Sequence, residues 1–360
     1  MSELSRINRR TALKQLSVMA ATALPACQAA ANEKPDHTTG IGLVIYDCGI
    51  RRRWMQQQDN NVELFEPLTF LRHCHSLGAG GMQAALGVLS TERVHPLRAF
   101  ADEHGLFIDA IVSPPKDTGD LSRFESEIRT AADVGVQAAR TTIIPGRRYE
   151  RFQTLAEFRE FEKRGQEMLE LAAPIVEKYR VPLAVENHKD QRIDERIALY
   201  THLDSEFIGA CVDTGNSFAL LDGAYEPIEA LAPYAFTVHL KDQALREYED
   251  GFLLADIPLG QGSFDLKRMV AIIRKARPDV RFALELITRD ALKVPCLTDG
   301  FYSTMPSSRA IDLARTMRFV REHPAKELQN VSVLPAEQQV RLEDANVAAS
   351  IQYASRELHL

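Results

Sequence analysis

The chain has 360 residues, 45% of them hydrophobic and 26% charged, with a formal net charge of −7. That length suits one α/β barrel with insertions, and the hydrophobic content excludes a disordered chain. The negative balance gives no electrostatic reason to approach nucleic acid or anionic lipid.

The first 31 residues read as a leader rather than as part of the fold. A twin-arginine pair lies in Asn8-Arg9-Arg10-Thr11-Ala12-Leu13-Lys14, followed by an apolar run over 16–24 and then small residues. Charged start, apolar middle and small-residue end are the pattern of a secretory signal, here of the route that exports folded proteins, and the expected location is periplasmic. Leu24-Pro25-Ala26-Cys27 has the form of a lipoprotein box, and a lipid on Cys27 would be the chain's one expected tie to a membrane. Ala29-Ala30-Ala31 offers an ordinary cut that would leave the protein free. The remaining cysteines, Cys48, Cys74, Cys211 and Cys296, form no CxxC pair, and Cys48 and Cys211, in or beside apolar runs, read as buried thiols.

From residue 37 to 324, short apolar runs alternate with helix-length amphipathic stretches, the signature of parallel βα units. The strand candidates are 42–46, 81–86, 106–112, 138–144, 182–185, 208–212, 236–240 and 282–286. Eight of them predict a closed (β/α)8 TIM barrel. Between the fourth and fifth, Leu155, Phe158, Met168, Leu171, Ile175 and Tyr179 recur at helical spacing. Leu266, Met269, Val270 and Ile273 do so between the seventh and eighth, and Ile311, Leu313, Met317 and Val320 supply a closing helix. Residues 325–360 predict a short helical extension, either folded on the barrel or serving as an interface arm, which leaves a homo-oligomer open.

The chemistry lies at the strand ends, where the side chains of such barrels project into the catalytic mouth. Four successive runs end in Val185-Glu186-Asn187-His188, Val212-Asp213-Thr214-Gly215-Asn216, Val238-His239-Leu240-Lys241-Asp242 and Leu284-Glu285-Leu286. Each places a metal-capable group at one rim. Taken singly, Asp213 is a helix cap and His239 a structural histidine. Together with Glu186 and Glu285 they form a set of three carboxylates and one imidazole that suits a divalent ion, Mn, Mg, Co or Zn. Without such an ion the carboxylates would repel one another.

These segments, with Pro258-Leu259-Gly260-Gln261-Gly262-Ser263-Phe264-Asp265, resemble the xylose-isomerase-like TIM barrels, and within them the sugar phosphate isomerase/epimerase group, over about residues 41–323. The resemblance implies that Glu186, Asp213, His239 and Glu285 are metal ligands and that Glu186 and Glu285 act as the acid/base pair on opposite faces of the substrate. Ketose epimerases of this group often carry a histidine three residues after the aspartate; this chain has Asn216 there.

His188 and Lys241, each two residues beyond a proposed ligand, are candidate substrate contacts, as are Asn216, Gln83, Arg140 and Trp54. The arginine run Arg51-Arg52-Arg53 suggests either an anionic substrate group or a solvated face. Gly260 and Gly262 would admit close backbone approach, and residues 289–308, with Phe301 and Tyr302, are a candidate lid. The expected partner is a small carbohydrate. The expected reaction is isomerisation or epimerisation of an unphosphorylated sugar or sugar derivative by proton abstraction beside its carbonyl. A keto-glycoside lyase using the same metal and base is the alternative; an endonuclease-IV-like phosphodiesterase and a non-catalytic sugar-binding protein are less favoured.

Overall fold

The computed structural model describes residues 40–360 except Pro145. The leader read at 1–31, with its twin arginines and Cys27, lies outside the described residues.

Eight parallel strands close into a barrel: β1 (Gly42–Val44), β2 (Gly81–Ala84), β3 (Phe107–Ile111), β4 (Ala139–Thr141), β5 (Leu183–Glu186), β6 (Ile208–Asp213), β7 (Ala235–Leu240) and, after an inserted hairpin, β10 (Arg281–Leu284). Each of β1 to β7 pairs with its sequence neighbour, β7 pairs with β10, and β10 closes on β1. All eight strand candidates are therefore barrel strands, mostly trimmed at their ends. The element missed in the sequence is a second sheet. The hairpin β8 (Asp242–Tyr248) and β9 (Gly251–Ile257) takes β11 (Leu292–Val294) as a third, antiparallel strand. This sheet occupies part of the segment read as a lid. Phe301 there is buried against Tyr149, and the Tyr302 hydroxyl donates to Cys296 O of its own segment.

Helices follow the strands as their caps dictate. Thr154 accepts from Glu157 N to start the helix Leu155–Tyr179, and Asp265 accepts from Arg268 N to start Leu266–Ala276. The buried stripe of the second helix is the expected one, Leu266, Met269, Val270 and Ile273. The stripe of the first is rotated: Phe158, Gly165, Leu169, Ala172 and Val176 face the barrel, and Met168, Leu171, Ile175 and Tyr179 flank them half-buried. Gly165 explains the rotation, because a Cβ there would press on Ile143, so the helix makes its closest approach through a residue that hydrophobic counting ignores. In the closing helix Ala310–Glu322, Met317 and Val320 are buried, whereas Ile311 is exposed.

The tail folds onto the barrel. Its helix Ala336–Tyr353 packs on the first βα helix, Gly49–Gln58, through a satellite cluster of Ile50, Val331 and Val340. Glu343 accepts from Ile50 N (2.8 Å) and Arg51 N (2.7 Å), capping that helix from 293 residues away in sequence. No helix among the described residues is long and apolar enough to cross a membrane, and Cys48, Cys74, Cys211 and Cys296 are free and buried.

Candidate metal centre

Parallel pairing with alternating side chains aims equivalent positions of neighbouring strands at the same point. Asp213 lies directly opposite His239, which in turn lies opposite Ala283, two residues before Glu285. One step below the rim the same strand faces carry small buried residues, Ala184, Cys211, Thr237 and Ala283. Glu186, Asp213, His239 and Glu285 thus converge, all buried, with one ligand atom from each within 4.8 Å of the others. His239 Nδ1 stands 3.7 Å from Glu186 Oε2, 3.9 Å from Asp213 Oδ2 and 3.2 Å from Glu285 Oε2.

Asp213 Oδ2, His239 Nδ1 and Glu285 Oε2 are buried and make no hydrogen bond of good geometry. A buried polar atom without a hydrogen bond costs about 1–3 kcal/mol; three such atoms on one cluster, two of them sharing a single lysine ammonium, fit a divalent cation. The supporting contacts fit it too. The ring of His239 faces Gln83 Oε1 through Nε2 at 2.7 Å, which places a proton on Nε2 and turns Nδ1 toward the carboxylates. Asp213 Oδ1 accepts from Gly215 N and Asn216 N, leaving Oδ2 for the centre. Asn187 bridges β5 to β6, accepting from Asp213 N and donating to Asp213 O, each at 2.8 Å.

Cations complete the site. Arg140 Nε donates to Glu186 Oε2 (2.6 Å), and its Nη2 contacts the same oxygen. Lys241 Nζ lies 2.8 Å from Glu285 Oε2 and 3.1 Å from Asp213 Oδ2. Burial alone would raise the Glu186 and Glu285 carboxyls, but Arg140 for the former and Lys241 with His239 for the latter hold both below the usual range. Asp213 differs: burial outweighs Lys241, and its carboxyl is pushed up to about 7. Burial disfavours charge on His239, yet Cys211, Glu285 and Glu186 more than offset it, so a metal taking Nδ1 must displace a proton.

Of the remaining candidates, Asn216 donates to Glu186 Oε1 at 3.0 Å. His188 is not drawn in by hydrogen bonds: strand β5 ends at Glu186, so the alternation that put His188 on the ligand face does not continue, and its Nδ1 faces Gly146 O at 3.3 Å. Burial lowers its pKa to about 4. Trp54 packs in the satellite cluster under the C-terminal helix instead, because it lies on the helix that Glu343 caps. Arg51 pairs with Asp344 and Arg52 with Glu63, so those two arginines serve the scaffold. The amides of Gly260 and Gly262 are taken by Asp242 Oδ2, 2.9 Å from each, which removes them as a phosphate cradle.

Three residues near the site escaped the sequence reading. Asp47 accepts from Val44 N and Leu286 N, tying β1 to β10 beside Glu285. Asp109 accepts from Thr237 Oγ1 (2.6 Å) inside the barrel, its carboxyl raised by burial to about 6. Lys189 contacts Asn216 Oδ1. Asp109 alone had a signal, an acidic residue inside an apolar strand.

Comparison with known proteins agrees with this architecture. Over 120 residues the chain is 28% identical to a 3-oxo-isoapionate decarboxylase of Pectobacterium atrosepticum, a match covering 33% of this chain and 44% of that relative's length. A xylose isomerase-like TIM barrel protein from Mycobacterium smegmatis, solved in complex with magnesium, superposes with a TM-score of 0.52 at 16% identity, covering 79% of this chain and 98% of that one. A 3-keto-D-glucoside 4-epimerase from E. coli superposes with a TM-score of 0.51 at 14% identity, covering 79% and 99%. At such identities these two likenesses bear on the fold alone. The xylose isomerase-like TIM barrel profile, however, matches residues 71–319, well over half the chain and all of β2 to β11. The barrel, its polar rim and that match together make the chain a member of the xylose isomerase-like TIM barrel family.

Proposed function

We propose that this protein is a metal-dependent enzyme that transfers a proton at the carbon beside the carbonyl of an unphosphorylated sugar or sugar derivative. The observation that carries the reading is the convergence of Glu186, Asp213, His239 and Glu285 with unsatisfied buried atoms aimed at one point. A divalent cation held by these four residues would supply Lewis-acid polarisation of the carbonyl oxygen. Glu186 and Glu285 are held ionised, by Arg140 and Lys241 respectively, so either can accept the proton. Asn216 and Arg140 fix the Glu186 carboxylate, and Lys241 fixes that of Glu285. The twin-arginine leader expected at 1–31 supports an exported enzyme and hence an unphosphorylated substrate.

The decarboxylase match supports a second reading, loss of CO2 from a 3-oxo acid. There the electron pair left on carbon by C–C cleavage would enter the same polarised carbonyl as CO2 leaves, and a proton drawn from water, with hydroxide left to the solvent, would replace the carboxylate.

NMR in heavy water separates these readings. Metal-loaded protein is incubated with unphosphorylated ketoses, 3-keto-glycosides and 3-oxo sugar acids. Deuterium beside an otherwise intact carbonyl compound is the expected result, and loss of one carbon with deuterium in its place selects decarboxylation. No exchange and no turnover with any of them, in folded and metal-loaded protein, overturns both.

A further inference from the structure

Two buried lysines stand beside the centre at Asn216, and the proton-transfer reading does not use one of them. Lys189 is 2% exposed and Lys241 is 3% exposed. Both ammonium groups reach the same neutral acceptor, Asn216 Oδ1, Lys241 at 3.3 Å. The other end of that amide donates to Glu186 Oε1, so Lys189 is one side chain from a metal ligand. Lys241 is satisfied by Asp213 and Glu285. Lys189 is not: its Nζ carries three N–H groups, and among the described residues Asn216 Oδ1 is its sole hydrogen-bond partner. A buried ammonium with donors to spare, set beside a second ammonium, is costly unless an anion joins it.

The charges around the site lead to the same conclusion. Arg140, Lys189, Lys241 and Arg289 oppose Glu186, Asp213, Glu285 and Asp256, and the last of these is paired with Arg289 at 3.3 Å. Asp190 is matched by Arg196. Arg140, Lys241 and Arg289 thus each have a carboxylate partner, whereas Lys189 makes no ion pair among the described residues. A substrate carboxylate would supply the acceptor that its remaining N–H groups lack.

We propose that Lys189, seconded by Lys241, is an anion-recognition site that selects substrates bearing a carboxylate, making this a sugar-acid enzyme. The inference rests on the metal-dependent reading above and narrows its substrate class. Lys189 is the specificity residue; in the absence of a carboxylate the reacting atoms keep their other contacts.

The test is calorimetric and needs no turnover. Metal-loaded full-length protein is titrated with L-threonate and with L-threitol, its neutral counterpart. The wild type is expected to bind threonate at least about tenfold more tightly than threitol. Lys189→Met should abolish that preference with bound metal per chain and circular dichroism unchanged, and Lys189→Arg should retain it. Equal binding of the two probes by the wild type overturns the proposal. So does an undiminished preference in folded Lys189→Met, which would assign the carboxylate to the metal. If Lys189→Met does not fold, Lys189→Arg against Lys189→Gln reads the same contrast. Deuterium exchange separates this proposal from the reading beneath it. Exchange on neutral ketoses without threonate preference would sink the carboxylate site and leave proton transfer standing; Lys189-dependent preference without any exchange would do the reverse.

Discussion

Two buried charged clusters sit at the catalytic end of this barrel, and they differ in how completely they are paired. In one, Arg192 donates to Asp222 Oδ1 (2.8 Å), Ser308 Oγ (3.1 Å) and Asp312 Oδ2 (3.3 Å), while Asp222 Oδ2 accepts from Ile193 N and Asp312 Oδ1 from Arg309. Every carboxylate oxygen there has a protein donor, and the cluster ties the loops after β5 and β6 to the closing helix. In the other, three carboxylates and a histidine crowd together; one ammonium, Lys241, serves both Asp213 Oδ2 and Glu285 Oε2 as an ion pair, and these two oxygens and His239 Nδ1 make no hydrogen bond of good geometry. Both clusters bear the desolvation cost of buried charge. The first returns it as packing of loops; the second leaves acceptors that would suit a divalent cation. Completeness of pairing, rather than burial or charge, separates scaffold from site.

That contrast can be broken at either cluster. Glu285→Gln should reduce metal-dependent deuterium exchange about 10²- to 10⁴-fold, with the fold of the metal-free protein retained, since Lys241 keeps its pair with Asp213. Asp222→Ala should do the opposite. Leaving Arg192 with only Ser308 and the longer contact to Asp312 should cost about 1–3 kcal/mol in denaturant unfolding, with bound metal per folded chain unchanged. If Asp222→Ala loses metal while keeping stability, pairing completeness is the wrong discriminator.

Glu343 extends the comparison to a single scaffold carboxylate. Burial raises it to about 7, against backbone donors at Arg51 and Ile50 that pull it down. Its folded pKa exceeds the unfolded value, so its contribution is fully present below about pH 4.5 and is lost as pH rises through about 7. Glu343→Gln should therefore gain on the wild type by about 2–3 kcal/mol between those pH values, read as the difference between the two stability profiles. A flat difference would mean that the cap is solvated. The smallest effect is expected at Gln83, which touches the centre only through His239. Gln83→Leu should weaken metal binding about 10- to 100-fold, measured by competition with a chelator, while the fold persists.

Much of this was legible along the chain. The eight apolar runs mark the eight barrel strands because a strand buried on both faces must be continuously apolar, and the ligands stand out because a charged group at the end of such a run has no cheap structural excuse. The hairpin β8–β9 was not legible, since it begins one residue after β7 and reads as loop. Gly165 hid the true face of its helix, and Glu343 hid as one more acid in a polar tail. Lys189 was passed over for His188 because strand alternation was carried beyond Glu186, where the chain had already left the sheet.

By itself, then, the amino-acid sequence determined the barrel and the identity of the four converging residues, because period and strand-end chemistry are local properties that each segment carries alone. Tertiary structure decided everything that depends on partners distant in the chain. It left Asp213, His239 and Glu285 with unmatched atoms, gave the Gly260 and Gly262 amides to Asp242, sent Trp54 to the C-terminal helix and brought Lys189 to Asn216. Hydrogen-bond accounting in a buried space is settled only when all the donors and acceptors are present at once.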